Sequence, residues 1–142
     1  MRRFLALCLV ATTLTACEKA ELGASDAWVR LPAVAGRPGA AYMTIQGGGE
    51  ATTLLAVSTP AAVRTELHEM KHEGGMMTMA PLKDIAVPAG QKVELKPGGA
   101  HIMLYDLAPS VRAGSTVPLR LSFADGKTVE VTAQVKAAGD AN

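Results

Sequence analysis

The sequence predicts a single all-β domain, a Greek-key sandwich or barrel, on three observations. From Asp26 onward, short strand-like runs recur between Gly and Pro punctuation at the spacing of a β protein. No stretch keeps helical periodicity, and Ala61–Leu67 is the one place where the residues would also admit a turn of helix. Thr116-Val117-Pro118-Leu119-Arg120-Leu121-Ser122-Phe123 alternates strictly, so that Val117, Leu119, Leu121 and Phe123 share one face.

The expected strands, in order, are Asp26–Leu31, Ala40–Gln46, Thr52–Val57, Val63–Met70, Met76–Leu82, Lys92–Leu95, Ala100–Asp106, Val117–Phe123 and Thr128–Lys136. Asp125-Gly126 marks a tight hairpin before the last of them, and Lys96-Pro97-Gly98-Gly99 marks a turn directly before His101. Met43, next to Tyr42 and Ile45, reads as core filler, and Trp28 as a core or rim aromatic. Glu66, Glu69 and Glu73 read as the solvated face of a strand.

The N-terminus sets the compartment. Met1-Arg2-Arg3 followed by an apolar run from Phe4 to Leu14 has the pattern of a secretory signal peptide over residues 1–16, too short to remain as a membrane span. Leu14-Thr15-Ala16-Cys17 resembles a bacterial lipoprotein cleavage box, which implies acylation at Cys17 and a membrane-surface anchor. Glu18 in place of an aspartate favours the outer membrane, facing the periplasm. Residues 17–25 form the expected tether, 26–136 the domain and 137–142 a flexible tail.

Cleavage leaves 126 of the 142 residues, enough for one domain with a real core. Removing Arg2 and Arg3 from the fourteen basic residues leaves twelve against thirteen acidic ones, a net charge of −1 with no basic cluster. Nucleic-acid binding and polybasic membrane docking therefore lack support. Cys8 departs with the signal and Cys17 sits at the new terminus, so the folded part has no thiol for a disulfide or a thiolate metal site. A blue-copper electron carrier, which needs a cysteine thiolate beside two histidines, is disfavoured on the same ground.

What remains is a soft donor set. Of the six methionines after Met1, five lie in two stretches that also hold all three histidines: His68 to Met79, and His101-Ile102-Met103. Thioether sulfur is neutral and needs no deprotonation; together with neutral imidazole it suits Cu(I). Residues two apart on a strand project together, which pairs His101 with Met103, His68 with Met70, and Met77 with Met79, while Ile102 and Leu104 face the core. If His72-Glu73-Gly74-Gly75 forms a four-residue loop, Lys71 faces Met76, Met70 faces Met77, and His68 faces Met79, with His101 and Met103 joining from a neighbouring strand. The residues alone leave the donor set open among Met70, Met76, Met77 and Met79, with His72 as a further candidate.

The spacing His68-x10-Met79-x21-His101-x-Met103 resembles the ligand signature of the periplasmic PCu(A)C copper chaperones. The likeness extends to Asp26-Ala27-Trp28-Val29-Arg30, Ala40-Ala41-Tyr42-Met43-Thr44, Glu66-Leu67-His68-Glu69-Met70, Ile85-Ala86-Val87-Pro88-Ala89-Gly90 and Leu95 to Leu104. It implies a cupredoxin-like β-barrel holding Cu(I) through His68, Met79, His101 and Met103. It also implies transfer of that copper to or from partner proteins, such as oxidase subunits or Sco-type proteins. A monomer is expected, and no Ser/His/Asp or paired-carboxylate arrangement has a catalytic spacing, so an enzyme is not expected. Storage or detoxification would use the same ligands, and an adhesive or scaffolding β-sandwich is the reading without a metal. The extra Met76 and His72, and the lipid anchor, depart from the expected family pattern.

Overall fold

Strand pairing begins at Gly23, three residues before the expected domain boundary. The computed structural model describes residues 20–140; the signal peptide expected over residues 1–16 and the lipidation expected at Cys17 lie outside the described residues. The chain forms ten strands: β1 Gly23–Arg30, β2 Gly39–Gln46, β3 Thr52–Ser58, β4 Ala62–Glu73, β5 Met76–Pro81, β6 Ile85–Val87, β7 Lys92–Leu95, β8 Ala100–Leu107, β9 Thr116–Phe123 and β10 Thr128–Lys136. The all-β expectation holds; seven of these strands match their expected spans within about two residues at each end, and β1 and β4 each overrun theirs by three at one end.

Two expectations need correction, the tether boundary and the missed β6. The tether gives up Gly23, Ala24 and Ser25 to β1, where they pair with Gln46, Ile45 and Thr44. The strand expected at Val63–Met70 is present as part of β4, and β8 offers it a full ladder from Ala62↔Leu107 to Glu69↔Ala100. β6 went unrecognised, since three residues before Pro88 are too short to display alternation, and it pairs with β3 through Thr52↔Val87. The tail leaves β10 in a turn, with the Ala137 amide donating to the Asp140 carboxylate at 2.9 Å.

The strands follow one path, β5-β4-β8-β2-β1-β10-β9-β3-β6, with β7 pairing β2 off that path. β1 and β10 are parallel and the other pairs antiparallel. The sheet rolls on itself so that β3 meets β4, where the Thr65 hydroxyl donates to the Val57 carbonyl. Inside the roll lie Val29, Ile45, Leu54, Ile102, Leu104, Leu119 and Leu121, all essentially buried. β9 shows the expected alternation, with Val117, Leu119, Leu121 and Phe123 inward and Pro118 and Arg120 outward. Asp26, with φ of 53°, sits at the irregularity between Ser25 and Trp28. Beyond it Ala27 and Val29 point to the core.

Burial of this kind fixes the sheet to one register, so a core truncation far from the Met/His face reads stability alone. Leu119→Ala is expected to lower unfolding free energy by about 2–5 kcal/mol, while Val63→Thr, at an exposed position, should stay within about 0.5 kcal/mol. Urea denaturation followed by circular dichroism measures both.

Candidate metal centre

The β4–β8 ladder sets the geometry. His68 and His101 are direct register partners, and Met103 faces Glu66 one rung away. The two imidazole centroids lie 6.1 Å apart. With metal–nitrogen bonds of about 2 Å, that separation has the size of a clamp on one ion. Ile102 and Leu104, alternating with the donors, are buried in the core and anchor β8 beneath them.

The turn before β8 orients His101. Gly98 adopts φ of 79°, the Lys96 amide donates to the Ala100 carbonyl at 2.9 Å, and the Gly99 carbonyl is turned towards the ring. His101 Nδ1 is 3.0 Å from that carbonyl. A carbonyl can only accept, so Nδ1 carries the hydrogen and Nε2 keeps its lone pair. The ring is 4% exposed and lies 6.3 Å from Tyr42, which in turn packs against Trp28 at 4.4 Å. Arg30 donates to the Tyr42 hydroxyl at 2.6 Å. Trp28 and Tyr42 therefore form the wall that holds His101.

His68 is oriented the other way round. Its Nε2 is 3.0 Å from a Glu66 carboxylate oxygen, which also accepts from the Tyr105 hydroxyl at 3.1 Å. The other Glu66 oxygen pairs with Arg64, whose guanidinium covers the Tyr105 ring at 3.7 Å. Nε2 thus donates, and Nδ1 is left buried with no hydrogen-bond partner. A bare buried acceptor costs about 1–3 kcal/mol, and a bound cation would satisfy it. Burial, and then the Arg64 charge, hold the His68 pKa below the ordinary imidazole value, so the ring is neutral and ready to donate. Glu66, which the sequence reads as part of the solvated face, contacts His68 instead; its position two before His68 puts it on the same side.

The β4–β5 hairpin corrects the expected register. Glu73 pairs with Met76, His72 with Met77, Lys71 with Thr78, Met70 with Met79, and His68 with Pro81. The loop is two residues long because Gly74 and Gly75 both adopt positive φ, 59° and 79°. That is the signature of a type I′ turn, whose twist matches the strands. His68 therefore faces Pro81, and Met79 faces Met70. The slip is an even number of residues, so every side chain keeps its expected face.

Met70, Met77, Met79, His101 and Met103 line one open cleft of about 480 Å³, with Arg30 and Tyr42 on its far side. His68 is not among its lining residues; it meets the site through His101. Met76 stands opposite Glu73, outside the cleft, and Met43 is core, as expected. Among the described residues no three His, Cys, Asp or Glu side chains converge as a hard-metal site would need. Nitrogen and thioether donors are what this face offers.

An all-β sandwich presenting neutral imidazoles and thioethers on one face defines a soft-metal-binding domain of cupredoxin-like type. The chain belongs to the PCuAC family: the family profile described as "Putative lipoprotein LpqE-like" matches residues 22–135. It is similar to "Putative lipoprotein Lxx21020" of Leifsonia xyli subsp. xyli (strain CTCB07), 35% identical over 120 residues that cover 83% of this chain and 71% of that one. Among solved structures it resembles CuI-DR1885 from Deinococcus radiodurans, with 31% identity, a TM-score of 0.63, and 87% of this chain and 81% of that one covered. It shares the fold of the copper-bound PCuAC domain from PmoF2 at 20% identity and a TM-score of 0.65, over 84% of this chain and 98% of that one.

The lowered His68 pKa fixes a pH dependence. Between the ordinary imidazole value, about 6.5, and the lower folded value, the unfolded chain binds the proton first. This contribution to stability is complete above the ordinary value and is lost as pH falls through the folded pKa. NMR titration should give His68 a midpoint below that of a model imidazole, and Arg64→Gln should raise it.

Proposed function

We propose that this protein is a periplasm-facing Cu(I) chaperone that binds one ion through His68, Met79, His101 and Met103 and passes it to a partner. The observation that carries the reading is the tautomer pair. His101 keeps Nε2 free by committing Nδ1 to Gly99, and His68 keeps a buried Nδ1 without any partner by committing Nε2 to Glu66. Two imidazoles on adjacent strands, each presenting an unused lone pair beside a methionine cleft, suit a monovalent soft cation. Kinship with the Cu(I)-loaded protein from Deinococcus radiodurans supports the same cargo.

Transfer follows from the donors. Cu(I) is a d10 ion that imposes little geometry, so its ligands can be exchanged singly. The Met79 thioether, 49% exposed on a flexible side chain, can leave as an incoming thiolate or imidazole arrives. His68 and His101, held by Glu66 and Gly99, release last. No acid, base or nucleophile takes part. The outer-membrane lipid anchor at Cys17 and delivery to terminal-oxidase copper centres, alongside Sco-type proteins, complete the proposal. The lipoprotein naming of its relatives supports the anchor.

Anaerobic Cu(I) titration against a strong chelator, with X-ray absorption on the loaded protein, tests the reading. A tight site with mixed sulfur and nitrogen scatterers is expected. Met79→Leu should remove one sulfur from that shell, and His101→Ala with Met103→Ala should abolish tight binding. Retention of tight binding in that double variant would sink the assignment.

A further inference from the structure

The hairpin carries more donors than one ion needs, and their order is informative. On the face that holds His68, β4 presents His68, Met70 and His72 in succession, and β5 presents Met79 opposite Met70 and Met77 opposite His72. Directly opposed side chains have Cβ atoms about 4.5–5.5 Å apart, so each pair is a rung able to grip one ion. Successive rungs are two residues apart, about 7 Å. Between His68 and the turn, the charged side chains of β4 go to the opposite face, where Lys71 pairs with Glu69 at 3.2 Å and Glu73 stands opposite Met76; Glu66 and Arg64, on the donor face, lie beyond His68. The donor face is thus an uninterrupted run of imidazole nitrogen and thioether sulfur from the hairpin tip to the His68–His101 pair.

Exposure argues against a packing role. Met77 is 52% and Met79 49% exposed, although both line the cleft that reaches His101 and Met103. A methionine placed to fill a core would be buried.

We propose that His72 and Met77 form a second, outer Cu(I) site at the tip of the β4–β5 hairpin, from which the ion moves over the Met70–Met79 rung to the inner site. This rests on the Cu(I) reading above. Each step forms one Cu–S or Cu–N bond as another breaks. The copper stays monovalent, no electron is transferred, and no proton moves while the imidazoles are neutral. The outer rung holds only two protein donors and is the weaker site, as an entry or exit position must be.

The test is anaerobic Cu(I) titration of the full chain with chelator competition, together with stopped-flow loading from a Cu(I)–bicinchoninate complex. The native chain should take up a second, weaker equivalent. His72→Ala combined with Met77→Leu should lose that equivalent and load more slowly, while keeping the tight site. Met76→Leu, on the other face, should leave both sites and the loading rate unchanged. If the native chain takes up a single equivalent, or the double variant keeps the native stoichiometry and loading rate, the outer site is overturned and the inner one stands. A native chain that binds no Cu(I) overturns the chaperone reading and the outer site with it.

Discussion

The pairing of β4 with β8 is the constraint on which the rest depends. Its register makes His68 and His101 neighbours although thirty-two residues of sequence separate them. It also lays Glu66 beside Tyr105's hydroxyl and brings the Gly99 carbonyl to the Met70 amide at 3.2 Å. A slip of one residue would set His68 opposite Ile102 or Ala100 and force either an imidazole into the core or the apolar side chains of β8 out of it. The apolar side chains between the donors forbid that slip, so the hydrophobic interior and the polar face specify each other.

The two imidazoles are prepared by opposite means. His101 is held by a backbone carbonyl in a glycine-rich turn and by an aromatic wall. His68 is held by a carboxylate that is itself shared with Arg64 and Tyr105. Burial first, and then the Arg64 charge, lower the His68 pKa. One ring is fixed by geometry, the other by a balanced pair of charges.

Much of this was legible in the sequence because strand geometry is simple. Period-two alternation placed His101 with Met103, Ile102 with the core, and the hairpin donors on one face; an error of two residues in the hairpin register left those faces intact. The loop length was misjudged because consecutive glycines favour a two-residue turn over a four-residue one, and only the φ values separate the two. Glu66 was hidden for a different reason: a carboxylate on a half-exposed strand has no local mark of purpose until pairing brings Tyr105 and His68 to it. β6 shows how little signal three residues carry.

The outermost position of β5 has a consequence for solubility. The methionine-bearing strand ends the sheet path, so one side of its backbone has no neighbour in the ladder, and Met76-Met77-Thr78-Met79 carries no charge to repel a copy of itself. Such rims invite intermolecular zippering. Here the strand is only six residues long and ends at Pro81, which has no amide hydrogen to offer. A protein that must keep greasy sulfur in the open thereby limits the chance that two molecules stack edge to edge.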